Sequence, residues 1–72
     1  MATSVKAHIA GTVWKIEVAV GDAVTEGQTV VILESMKMEM PIESPAANHV
    51  SAIRVQPNQA VEESAPLIDL MD

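Results

Sequence analysis

Glu34-Ser35-Met36-Lys37-Met38-Glu39 decides how this chain folds, because it separates two β-prone runs. Thr29-Val30-Val31-Ile32-Leu33 precedes it and Met40-Pro41-Ile42 follows it. Two such runs joined by a short polar segment read as a hairpin, with Met36 and Lys37 as the central pair of a two-residue loop. That register sets Ser35 opposite Met38 and Glu34 opposite Glu39. Type I′ geometry places both central residues at positive φ, a region neither Met nor Lys favours and Asn-Gly would fill easily. A tip made of residues that strain it points to selection for something other than stability. Two glutamates facing each other are also an unfavourable cross-strand pair.

Outward from the hairpin the chain repeats. A shift of 37 positions lays Gly11–Leu33 over Asn48–Leu70. Val13 falls on Val50, Ile16 on Ile53, Val18 on Val55, Val24 on Val61, Val30-Val31 on Leu67-Ile68 and Leu33 on Leu70. The shared feature is a burial pattern, and two copies of one supersecondary unit that each bury half a core imply a pseudo-twofold domain. The expected domain is 1–72, with repeat halves 5–33 and 42–70 and the hairpin 34–40 between them. Such symmetry sets the hairpin at one end and both termini at the other.

Val5, Ile9, Val13, Ile16 and Val20 also have helical spacing. Gly11 would sit mid-helix, however, and the segment is rich in Val, Ile and Thr, so strand is the better reading. Within each copy the apolar phase slips between the first and second apolar positions. A β-bulge near Trp14-Lys15, and another near Ser51-Ala52, would let Val13, Ile16 and Val18 and their counterparts all face inward. Trp14 is then expected to lie partly exposed as a lid over the barrel edge. All three glycines, Gly11, Gly21 and Gly27, belong to the first copy; Asn48, Asn58 and Ser64 stand in for them. Asn tolerates the left-handed region, so the first two exchanges are expected to preserve backbone geometry, and Pro57-Asn58 suits a turn. Ser64 is a poorer substitute, and its turn is expected to be strained or rerouted.

At 72 residues with a net charge of −6, no cysteine and one aromatic, the chain can build one aliphatic core without staples of sulfur or metal. The acidity argues against nucleic acid or an anionic membrane as partner. No run is long enough to span a bilayer, and the amino terminus lacks a signal-peptide apolar run, so the expected location is the cytoplasm. Met1 and a repeat filling nearly the whole length lead to the expectation of a free-standing subunit, monomeric when isolated. His8 and His49 lack metal-pair spacing and do not coincide in the repeat, so no metal site is expected. No nucleophile elbow or phosphate-cradling glycine loop is present, so no catalytic residue is assigned.

Most lysines on strand tips serve solubility or guard against edge pairing. Lys37 differs because soft apolar methionines flank it where a solubility device would have polar neighbours. Glu-Ser-Met-Lys-Met-Glu resembles the attachment motif of biotinyl domains, the carrier modules of biotin-dependent carboxylases. The resemblance implies an all-β flattened barrel of two antiparallel four-stranded sheets, the barrel-sandwich hybrid shared by biotinyl and lipoyl domains. The short link Val20-Gly21-Asp22-Ala23 resembles the thumbless kind. The resemblance further implies biotin in amide linkage on Lys37, with Met36 and Met38 as flanking motif and Glu34, Ser35 and Glu39 read by the ligase or partners. Implied partners are a biotin protein ligase, a biotin carboxylase and a carboxyltransferase, as in acetyl-CoA carboxylase and fatty acid biosynthesis; the sequence does not name the carboxyl acceptor. An exposed alkylamine must lose a proton before it attacks an acyl adenylate, and the sequence offers Lys37 no neighbouring cation and no deep apolar pocket to help it, so activation is left to the ligase. Two other readings stay open: a lipoyl or dual carrier, though lipoyl domains usually carry Asp before the lysine and Ala after it, and an unmodified barrel used for protein contacts.

Overall fold

The computed structural model describes residues 2–71. Met1 and Asp72, the outer limits of the expected domain, lie outside the described residues. Eight strands follow in order: β1 (Ala2–Lys6), β2 (Gly11–Ile16), β3 (Ala23–Val24), β4 (Thr29–Ser35), β5 (Met38–Glu43), β6 (Asn48–Ile53), β7 (Ala60–Val61) and β8 (Pro66–Met71). They form two antiparallel four-stranded sheets, β1-β8-β6-β3 and β5-β4-β2-β7, and no helix occurs among the described residues. The helical spacing of Val5 to Val20 therefore has no helical counterpart, because Gly11 opens β2 and the β-branched residues around it pair in a ladder.

The twofold governs both the core and the hydrogen bonds. Every buried side chain has a buried mate 37 positions away, from Val5 with Ile42 and Val13 with Val50 to Leu33 with Leu70. Ala7 is matched by Ser44, the one buried polar residue among those described, whose hydroxyl is satisfied by the Ala46 carbonyl at 2.6 Å. The loop bonds repeat in the same way. Gly21 N–H donates to the Val50 carbonyl at 2.8 Å, and Asn58 N–H donates to the Val13 carbonyl at 2.7 Å. Gly27 N–H donates to Ser44 at 2.8 Å, and Ser64 N–H donates to Ala7 at 2.7 Å.

Bulges lie where the apolar phase placed them: β2 shifts against β4 between Val13 and Lys15, and β6 against β8 between Val50 and Ala52. Val13 and Val18 are buried and Ile16 packs partly buried against the core, although β2 ends at Ile16 and Val18 lies in the following link. Two further bulges, at Val30 and Leu67, are not among those expected. Their sequence signal was two consecutive buried apolar residues, Val30-Val31 and Leu67-Ile68, which strict alternation forbids.

The glycine exchanges divide. Gly21 and Asn58 both have positive φ, 96° and 71°, so that exchange does preserve the turn. Gly27 and Ser64 do too, at 86° and 73°, so the second-copy turn keeps its path and carries strain at Ser64. Gly11 is a correction: its φ is not positive, and its requirement is space. A Cβ there would stand 2.7 Å from the Glu34 carbonyl oxygen, directly behind the hairpin, whereas Asn48 carries a side chain at the equivalent place. The chain is elongated, 34 × 18 × 18 Å. The Glu34–Glu39 pair beside the hairpin tip has as its twofold mate the Met71–Ala2 pair, so the symmetry that exchanges the ends sets the tip apart from the Ala2–Met71 end; the termini themselves lie outside the described residues.

Ser64→Gly is expected to stabilise the fold. Relief of a left-handed serine is worth about 1–2 kcal/mol, offset by about 0.4–1 kcal/mol of added freedom in the unfolded chain. Thermal denaturation should show a midpoint raised by ~4 °C for a chain of this size; an unchanged or lowered midpoint would contradict strain at Ser64.

Candidate functional site

β4 and β5 pair in register from Val31 with Ile42 to Ser35 with Met38, and the ladder passes through Leu33–Met40 and Glu34–Glu39. Val31, Leu33 and Ile42 are buried and hold the base of the hairpin on the core. Met36 and Lys37 alone close the turn, both in the left-handed region with φ of 52° and 64°. This is the type I′ arrangement, whose twist matches that of the flanking strands. Gly11 on β2 backs the hairpin at Glu34 and Ser35, closely enough that only a glycine fits.

The tip projects from the body. Met36 is 91% exposed and Met38 64%, while Lys37, Glu34 and Glu39 are all exposed and Ser35 is half-buried. Among the described residues the Lys37 amine has no ion-pair partner, so it is not held down by either glutamate. Both carboxylates stand on the outward face one residue below the turn, on either side of the ladder. The residues expected to form the site, Glu34 through Glu39, are thus brought together on one hairpin. His8 lies in the link before β2 and His49 on β6, both exposed, and no group of His, Asp and Glu that could hold a metal occurs among the described residues. The displaced pKa is at Arg54, just past the end of β6, where the hydrogen bond and charge of Asp69 raise the guanidinium further above its usual value.

What this arrangement can do chemically follows from its exposure. A primary amine on a stiff two-residue turn is open to attack an activated acyl group held by another protein. No cavity adjoins it among the described residues. Sequence reasoning missed Gly11 as part of the site. The signal lay in the repeat itself, where the glycine nearest the hairpin has a mate with a side chain.

A doubled β scaffold that lifts one amine on a strained hairpin is the architecture of an attachment domain. Residues 1–70 match the family model described as "Biotin-requiring enzyme", which covers biotin and lipoyl attachment. The chain is 39% identical over 67 residues to the biotin/lipoyl attachment protein of Bacillus subtilis, covering 93% of this chain and 92% of that one. It is 44% identical over 69 residues to the biotin carboxyl carrier protein of Streptococcus mutans, covering 96% of this chain and 53% of that one. Among solved structures, the urea carboxylase of Kluyveromyces lactis superposes with a TM-score of 0.93 at 30% identity, over 99% of this chain and 6% of the other. The chain belongs to the biotin/lipoyl attachment family.

Replacing Met36 and Lys37 together by Asn and Gly should stabilise the fold by about 1–2 kcal/mol, since both turn residues now sit in the left-handed region. Chemical denaturation of the double variant would show it as a raised midpoint at unchanged slope. A loss of stability would mean that the tip is not strained.

Proposed function

We propose that this chain is one biotinyl domain, residues 1–72, that holds biotin in amide linkage on Lys37 and presents it within a biotin-dependent carboxylase system. The observation that carries the reading is the exposed Lys37 amine at a positive-φ tip between two exposed methionines. Support comes also from the family and from relatives named as biotin carboxyl carriers. A biotin protein ligase supplies the activated acyl group. The ammonium gives up its proton, the freed nitrogen bonds the acyl carbon, the acyl carbon–oxygen bond of the mixed carboxylic–phosphoric anhydride breaks, and AMP leaves with that oxygen. The product is a neutral amide, so loading makes the domain one charge more acidic.

When bound, biotin accepts a carboxyl group from a biotin carboxylase using ATP and bicarbonate and yields it to a carboxyltransferase. Everything else is the scaffold's work. The chain holds the attachment nitrogen clear of the core on a stiff base, and by tethering raises the effective concentration of the group at each enzyme. It is a carrier and a substrate of modification, not a catalyst, and its expected place is the cytoplasm. Acetyl-CoA, propionyl-CoA and urea all remain acceptors compatible with this tip, because the acceptor is read by the transferase. A second reading keeps the site and changes the cargo: the Bacillus relative is named for both biotin and lipoyl attachment, which favours a dual carrier.

Mass spectrometry of chain produced with an active ligase should find one biotinyl increment, mapped to Lys37 and absent from Lys37→Arg. A lipoyl increment at the same residue would favour the second reading, and label on Lys37→Arg would overturn both. Glu34 and Glu39 are proposed to form an acidic rim read by the ligase. Reversing both to Lys should slow biotinylation by ~10-fold, a change of about 1.4 kcal/mol in the barrier; an unchanged rate removes the rim from the account.

A further inference from the structure

The twofold supplies an internal control for the protein's surface. On the sheet β5-β4-β2-β7 the outward row below the glutamates pairs Ile32 with Pro41, and the bulge sets both Trp14 and Lys15 against Ile32. Trp14 is 48% exposed, Pro41 is exposed, and Ile32 is half-buried without belonging to the core cluster. The equivalent positions on the other sheet are Ser51, Ala52, Asp69 and Ser4, on the same strands with the same bulge. The same places in the fold are filled there by Ser, Ala and Asp, so the barrel does not require large apolar side chains at them.

Charge separates the two faces as well. Glu34, Glu39 and Glu43 rim the apolar patch, and its single lysine, Lys15, is already paired with Glu17 at 3.3 Å. The opposite face instead carries Arg54 and Lys6, with Asp69 bonded to Arg54 at 2.9 Å. An apolar patch with an acidic border on one face only is a docking surface for an apolar contact bordered by Lys and Arg.

We propose that the Trp14–Ile32–Pro41 face docks the enzyme that carboxylates the group on Lys37; this rests on the carrier reading above. Three arguments select that partner. An enzyme that binds bicarbonate and a nucleoside triphosphate concentrates positive potential around its active-site mouth. Amide formation removes the Lys37 charge, so the rim attracts a cationic partner more strongly once the carrier is loaded. Reach fits too: Ile32 is about four residues from the tip, or ~13 Å at ~3.3 Å per residue, so one enzyme can cover the face and admit the tip.

The test uses biotin-loaded full-length chain as the substrate of a biotin carboxylase. Trp14→Ser, which installs the residue found at the twofold mate, should raise the KM for the carrier ~10-fold at low ionic strength, with kcat and the rate of prior biotinylation within ~2-fold. Ser51→Trp, on the opposite face, should leave KM unchanged. Glu43→Lys gives an independent reading should Trp14→Ser fold poorly: KM should rise severalfold and lose its dependence on salt. In parallel, the chain's single indole N–H resonance should shift when unlabelled carboxylase is added to labelled carrier. A loaded, folded variant with unmoved KM, or an indole signal indifferent to the enzyme, overturns the docking face alone. A wild-type chain that takes no biotin fails before this assay and overturns the carrier reading with it.

Discussion

Two reciprocal backbone hydrogen bonds hold the architecture together. Gly21 N–H reaches the Val50 carbonyl, and Asn58 N–H reaches the Val13 carbonyl, each turn of one half closing on the bulged strand of the other. The Val50 and Val13 amides answer by donating to Asp22 and Gln59. Each half alone would have an unfinished ladder and half a core, and both costs vanish together when the halves meet. Positive φ at Gly21 and Asn58 is what aims those amides, so the turns are determinants of closure. The stiffness of the hairpin follows, since its buried base is the edge of this closed body.

Against so regular a frame, the departures from symmetry map the function. A continuous hairpin lies at one end, and strands β1 and β8 pair through Ala2 and Met71 at the other. Gly11 backs the hairpin where its mate Asn48 carries a side chain, and Trp14, Ile32 and Pro41 take the places of Ser51, Asp69 and Ser4. The hairpin and Gly11 adjoin Lys37, and the Trp14–Ile32–Pro41 face lies lower on the same sheet. The halves share what makes the barrel, and the first half with its hairpin holds the features proposed for attachment and docking. Strain is distributed in the same sense: Met36 and Lys37 occupy left-handed backbone at the tip, where Asn and Gly would sit more easily.

Much of this was legible in the residues. The offset of 37 exposed the twofold because buried positions recur as aliphatic residues of similar size, with Ala7 against Ser44 the exchange of apolar for polar among the described residues. The hairpin register followed from loop length alone, since a two-residue loop fixes every pair below it. The slipped apolar phase at Trp14 and Ser51 announced two bulges. The other two went unread because Val30-Val31 and Leu67-Ile68 look like continuous buried strand unless the pairing partner is known. Gly11 was misread for a related reason. A glycine's need for room beside a neighbouring strand is set by a contact distant in sequence, whereas a need for positive φ is written in its own turn.

The central claim is that a rigid scaffold presents one amine without itself responding to what is attached. Amide proton–nitrogen spectra of the labelled chain before and after biotinylation test it directly. The account predicts shifts confined to Glu34–Glu39 and the adjoining Gly11, with the amides of Val13, Val50, Leu67 and Leu70 unmoved and their slow exchange retained. Shifts spreading through those core strands, or exchange accelerated there by loading, would contradict it.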